Sequence, residues 1–185
     1  MRVITGSARG RRLNELQGEE TRPTTDKVKE AVFSAIQFEV EGKKVLDLFA
    51  GTGQLGIEAL SRGAASAVFV DCRRDAVQLV RDNLALTGLA ENARVLCGDS
   101  ISYLRSLHEK FDLVFLDPPY ASGLLKASLS ALFAFDILSP HGIIIAESPA
   151  DKNLTEPERP YHVVKEYRYG KIKAVIYRRE GEEEA

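Results

Sequence analysis

Lys44-Val45-Leu46-Asp47-Leu48-Phe49-Ala50-Gly51-Thr52-Gly53-Gln54-Leu55-Gly56 passes from an apolar strand through a glycine turn into a helix from Ile57 to Arg62. The strand is apolar at nearly every position, as expected when both faces are buried. Gly51, Gly53 and Gly56 make the pattern Gly-x-Gly-x-x-Gly immediately after it. The next strand, Ala67-Val68-Phe69-Val70-Asp71, ends in an acid at the distance where a dinucleotide fold holds a ribose. Taken alone, this pattern indicates a dinucleotide. Asp47 argues otherwise: a pyrophosphate would sit on the glycine turn and helix N-terminus, where a carboxylate at the strand end would repel it. An ammonium group would be attracted instead. S-adenosylmethionine carries an ammonium and a sulfonium, and its ribose still suits Asp71, so Asp47 shifts the reading from a nicotinamide to a methyl donor.

The alternation of strands and helices continues on both sides of that unit. Asp75 to Thr87 sets Ala76, Leu79, Val80, Asn83 and Leu84 on one helical face and closes at Gly88. Ala93 to Cys97 is a third strand, ending in Gly98-Asp99-Ser100. Asp99 is placed there to accept from an adenine amino group, with the Ser100 N–H offered to the ring. The competing role for Asp99 is the N-cap of the helix through Ile101, Leu104 and Leu107. Phe111 to Leu116 is a fourth strand, a helix from about Leu124 to Leu138 is ended by Pro140 and Gly142, and Gly142 to Ser148 is a fifth strand. Val163 to Tyr177 has no intervening helix and Gly170 in its middle, which predicts two antiparallel strands. The fold class is therefore α/β and Rossmann-like: a mostly parallel sheet with a C-terminal antiparallel hairpin and helices on both faces. Right-handed crossovers bring the strand ends carrying Asp47, Asp71, Asp99 and Asp117 to one edge of the sheet.

The fourth strand runs into Asp117-Pro118-Pro119-Tyr120. Neither proline has an N–H and each fixes its own φ, so the chain leaves the sheet in a rigid extended turn. An exocyclic amine on a nucleobase is a poor nucleophile because its lone pair is delocalised into the ring. Acceptors at the Asp117 side chain and the Pro118 carbonyl can hold both of its N–H bonds while the Tyr120 ring stacks on the base. The plainer reading is a strand, a Pro-Pro turn and an aromatic plug.

Composition narrows the class of protein further. The chain has 185 residues, enough for one domain with a full core. No apolar run approaches a membrane span, and Arg2, Arg9, Arg11 and Arg12 are not followed by an apolar segment, which predicts a cytoplasmic protein. Cys72 and Cys97 lack metal spacing, as do the three scattered histidines, and each cysteine is expected to be a small buried thiol at a strand end. No metal is expected. The net charge of −2 conceals an acidic tail at residues 180–185 and an amino-terminal segment rich in arginine. Residues 2 to 13, with Gly6 and Gly10, suggest a short hairpin whose guanidiniums suit phosphates. Val28, Ala31, Val32, Ala35 and Ile36 follow at helical spacing, with Asp26 in the first turn and Lys27 and Lys29 on the polar face, facing either RNA or water. Residues 1–179 are expected to form one domain: a basic ribbon at 1–20, a helix at 21–40 and an α/β core at 41–179.

These segments together resemble the class I S-adenosylmethionine-dependent methyltransferases, and more narrowly the bacterial 16S rRNA guanine-N2 methyltransferase family RsmD. The resemblance rests on Arg-Val-Ile-x-Gly from residue 2, Thr-Arg-Pro-Thr-Thr-Asp-Lys-Val-Lys-Glu-Ala-Val-Phe at 21 to 33, Asp-Leu-Phe-Ala-Gly-Thr-Gly at 47 to 53, Asp-Pro-Pro-Tyr at 117 to 120 and Tyr-Gly at 169 to 170. It implies that Asp47, Gly51 and Gly53 hold the methionine end of the donor, Asp71 the ribose and Asp99 the adenine, while Asp117 to Tyr120 receive a guanine. Phe49, Thr52, Cys72 and Ser100, in the same strand-end turns, complete the expected cofactor contacts. Where the family often has Glu, this chain has the shorter Asp71. The resemblance further implies a monomer acting on 16S rRNA within an assembling or assembled small subunit. Arg2, Arg9, Arg11, Arg12, Arg22, Lys27 and Lys29 are the candidate RNA contacts, although Arg22 could instead close over the cofactor. The competing readings are an adenine-N6 DNA methyltransferase, a non-catalytic RNA-binding assembly protein and an NAD-dependent oxidoreductase.

Overall fold

In the computed structural model, residues 1–16, 23–120 and 122–181 are described, with side chains from residue 26 onward in the second of these segments. The helices are α1 (Pro23–Ala35), α2 (Gln54–Ser61), α3 (Arg74–Thr87), α4 (Ser100–Arg105) and α5 (Leu124–Ala134). The strands are β1 (Lys44–Asp47), β2 (Ser66–Asp71), β3 (Ala93–Cys97), β4 (Phe111–Leu116), β5 (Leu138–Pro149), β6 (Tyr161–Tyr169) and β7 (Ile172–Arg179). They form one sheet in the order β3-β2-β1-β4-β5-β7-β6. The first five strands are parallel, β7 runs antiparallel to β5, and β6 pairs antiparallel with β7, so the expected sheet is present, hairpin included.

Alternation along each strand divides the core in two. Val45, Phe69, Phe115 and Ile145 face α1, α2 and α3, whereas Leu46, Val70, Val114 and Ile144 face α4 and α5. Helices thus cover both faces, the arrangement that an all-apolar parallel strand requires. Gly56 makes the fit of α2 on β2 possible, because a Cβ there would lie 2.3 Å from the Phe69 ring. Among the described residues no helix is long and apolar enough to cross a membrane.

The amino-terminal residues do form a hairpin, with Arg2 bridged to Arg12 and Val3 N–H bonded to the Arg11 carbonyl at 2.9 Å. Val3, Ala8 and Leu13 are buried, while Arg2, Arg9, Arg11 and Arg12 are exposed. The hairpin is fastened to α2 by Glu58, fully buried, which accepts from Ile4 N at 2.8 Å and Thr5 N at 3.0 Å and pairs with Arg62 at 2.9 Å. Here the structure corrects one expectation: Lys29 does not face RNA or water. It is buried, its Nζ donates to the Arg2 carbonyl at 2.8 Å and lies 3.8 Å from Glu58, and burial pushes its pKa down despite that carboxylate. Lys27 is exposed. Arg22 lies outside the described residues.

Two further expectations are corrected. The fifth helix ends at Ala134, not near Leu138, and β5 begins at Leu138 and runs on through Pro140 and Gly142. Asp136 breaks the helix with a left-handed backbone (φ 47°), and its carboxylate is gripped by Arg179 at 2.7 and 2.9 Å, by Tyr161 at 2.7 Å and by Lys110 at 3.0 Å. The Arg179 guanidinium holds this carboxyl well below the usual range. Cys72 and Cys97 are exposed rather than buried, because they stand at the open carboxyl ends of β2 and β3.

Candidate active site

The carboxyl ends of the parallel strands open into one cleft of about 670 Å³. Asp47, Asp71, Asp99 and Asp117 all line it, together with Phe49, Gly51, Thr52, Cys72 and Ser100. Pro118, Pro119 and Tyr120 border the same space, so the proline corner is open to a ligand.

The turn between β1 and α2 is shaped by Gly51 and Gly53, whose φ values of 54° and 79° suit residues lacking a Cβ. Gly53 carries no side-chain cap for α2. The cap comes from the strand instead: Asp47 Oδ2 accepts from Gly56 N at 3.0 Å in the helix's first turn. Asp47 is 2% exposed, and burial pushes its carboxyl up to about 7, against the Gly56 hydrogen bond and with help from the charge of Asp71. A pyrophosphate finds this helix N-terminus already facing a carboxylate.

Asp71 ties the turn from the other side. Its Oδ2 accepts from Gly51 N at 2.9 Å and its Oδ1 from Arg73 N at 2.9 Å. Asp99 Oδ1 accepts from Ser102 N at 2.8 Å, so Asp99 is the N-cap of α4, and that hydrogen bond lowers its pKa. The cap and a cofactor contact must then share one carboxylate. Asn83 joins α3 to the turn and the hairpin: its Nδ2 donates to the Thr52 carbonyl at 2.9 Å and the Asn14 carbonyl at 3.1 Å.

At the proline corner Asp117 is half-buried and Tyr120 is 37% exposed. The Pro119 carbonyl accepts from Ser122 N at 3.2 Å and Ser122 Oγ at 2.6 Å, while no hydrogen bond among the described residues reaches the Pro118 carbonyl. Tyr120 Oη donates to Glu147 Oε1 at 3.0 Å. Glu147 also lines the cleft and was given no role by the sequence reading. The signal for it was present, because it is an acid at the end of the fifth strand, as the other four are at theirs. Gln54, which also borders the cleft, was missed for want of any such signal.

The donor set fits S-adenosylmethionine: an acidic wall for its positive groups, a carboxylate in the position that would repel a pyrophosphate, and a volume within the range of small-molecule sites. A mostly parallel sheet in this order, with such a cleft over a glycine turn, defines a class I S-adenosylmethionine-dependent methyltransferase. Comparison with known proteins narrows the class. The family described as "Conserved hypothetical protein 95" matches residues 1–178, and the chain belongs to it, the RsmD family. YlbH of Bacillus subtilis is 41% identical over 184 residues, covering 98% of this chain and all of that protein. The Escherichia coli K12 protein named Ribosomal RNA small subunit methyltransferase D is 35% identical, covering all of this chain and 93% of that one. Among solved structures, Escherichia coli yhhF superposes with a TM-score of 0.88 at 33% identity, covering 97% of this chain and 98% of that one.

Proposed function

We propose that this protein transfers the methyl group of S-adenosylmethionine to the exocyclic N2 of a guanine in small-subunit ribosomal RNA, acting as a cytoplasmic monomer on an assembling or assembled subunit. The observation that carries the reading is that Asp117-Pro118-Pro119-Tyr120 opens onto the same cleft as the glycine turn and the other three acidic strand ends. The RNA class is supported by the name of the Escherichia coli relative, and the amine chemistry by the proline corner.

In this reading Asp47, Phe49, Gly51, Thr52 and Gly53 contact the methionine end, Asp71 and Cys72 the ribose, and Asp99 and Ser100 the adenine. Asp71 and Asp99 do so while keeping the backbone N–H bonds they already hold. When bound, the donor supplies a methyl made electrophilic by its sulfonium. The Asp117 carboxylate and the Pro118 carbonyl accept the two N–H bonds of the base, and Tyr120 stacks on the ring. The N2–C bond forms as the S–C bond breaks, the electron pair stays on sulfur, and the proton shed by N2 leaves to water through the open cleft. Alignment and charge placement are the chain's contribution. Exposed Arg2, Arg9, Arg11 and Arg12, with Lys27, suit phosphates of the flanking RNA.

The test is transfer of labelled methyl to small subunits from cells lacking the protein, followed by nucleoside mapping. N2-methylguanosine at one site is expected, with Asp117→Ala abolishing it. Transfer to DNA adenine alone, or full activity in Asp117→Ala, overturns the reading.

A further inference from the structure

Glu147 is the one acid at the proline corner that the reading above leaves without a task. Strands β4 and β5 are in parallel register with Leu116 opposite Ala146, so Asp117 and Glu147 follow side by side at the carboxyl end of β4, on neighbouring strands roughly 4.8 Å apart. Both border the cleft, and both border an adjoining small cavity of about 20 Å³, shared with Lys29 and with Gln54, whose Oε1 is buried with no hydrogen-bond partner among the described residues. The Lys29 ammonium is directed to the Arg2 carbonyl and Glu58. Glu147 also anchors the Tyr120 hydroxyl, so the aromatic ring and the two carboxylates form one unit.

We propose that Glu147 selects guanine by accepting the N1–H of the base whose N2 is held by Asp117; this rests on the guanine reading above. The row of groups at the corner consists of acceptors: the Asp117 carboxylate, the Pro118 carbonyl and the Glu147 carboxylate. Guanine presents an uninterrupted row of donors, with N1–H directly beside the N2 amine. Adenine and cytosine each carry a lone pair on the ring nitrogen next to their amine. That lone pair would be set against the Glu147 carboxylate, so their amines are rejected even though Asp117 could hold them.

The test uses small-subunit RNA with guanine or 2-aminopurine at the mapped target. 2-Aminopurine keeps the amine at position 2 but has a lone pair at N1. The parent enzyme is expected to favour guanine in kcat/KM by about tenfold to a hundredfold, the worth of one hydrogen bond to a charged group. Glu147→Gln, whose amide can turn an N–H toward N1, is expected to bring the two substrates within about threefold of each other. Glu147→Asp should keep the preference at a lower rate, and Tyr120→Phe should slow both substrates while leaving their ratio intact. If Glu147→Gln slows both substrates equally, Glu147 serves only to position Tyr120 and the proposal fails. Failure of the guanine reading itself gives a different result, because the parent enzyme would then place no methyl on N2 of either base.

Discussion

Replacing Asp47 by Asn separates the stability of the glycine turn from its affinity for the donor. The carboxyl is buried and pushed up to about 7 from an unfolded value of 3.8, mainly by desolvation. Its folded pKa lies above its unfolded one, so its contribution to stability is fully present below about pH 4 and is lost as pH rises through about 7. At 1.36 kcal/mol per pH unit, the loss by pH 8 is at most about 4 kcal/mol, and water in the cleft reduces it. Asn keeps an acceptor for Gly56 N and removes the charge, so the variant should match the parent near pH 4 and exceed it in stability at pH 8. Donor affinity should move the other way, falling about tenfold or more at pH 8 because the ammonium loses its carboxylate. Urea denaturation of both proteins from pH 4 to pH 8, with calorimetric titration of S-adenosylmethionine at pH 8, measures the two effects. Taking the difference between the proteins at each pH cancels carboxylates such as Asp136, whose lowered pKa acts in the opposite direction. Parallel stability curves, or unchanged donor affinity, would rule out a buried Asp47 charge that weakens the fold and binds the donor.

Glu58→Ala strands the buried Lys29 ammonium and two hairpin N–H groups, so a loss of about 3–5 kcal/mol is expected in urea denaturation, with faster hydrogen exchange at Ile4 and Thr5. Replacing Arg9, Arg11 and Arg12 together by Gln should leave stability within about 0.5 kcal/mol, since all three are exposed. The same triple variant should flatten the dependence of log affinity on log salt by about 2 if each arginine meets one phosphate of single-stranded RNA, and an unchanged slope counts against the hairpin as an RNA contact.

The architecture was legible because most of the parallel strands write an apolar run with an acid at or just past its end, and because Gly51, Gly53 and Gly56 are required by local geometry and close packing. For Lys29 and the end of α5 the deciding partner was distant in sequence. Helical periodicity assigns Lys29 to the solvent side, and only the hairpin folding back over α1 and α2 buries it beside Glu58. The end of α5 depends on Asp136 meeting Arg179 of the last strand, a contact that no local signal announces. Glu147 was in plain view at a strand end, but its role requires knowing that β5 lies next to β4, so that Tyr120 can reach across to it.

The acids along the cleft are struts as well as acceptors. Asp47 holds Gly56 N, Asp71 holds Gly51 N and Arg73 N, and Asp99 holds Ser102 N. A carboxylate oxygen has two lone pairs, so one N–H bond from the scaffold leaves capacity for a ligand while fixing where the oxygen points. The energy of orienting the site is thus met during folding, and the donor meets acceptors already in place. Removing any of these side chains to Ala would free a backbone N–H and loosen the turn, so lost affinity would not by itself report a lost ligand contact. At Asp47 and Asp99, where one oxygen accepts from the scaffold, Asn can preserve that N–H bond while removing the charge, whereas at Asp71 both oxygens accept and Asn would set its NH2 against one of the two N–H groups. The isosteric variants of Asp47 and Asp99 are therefore the ones whose binding losses can be assigned to the ligand.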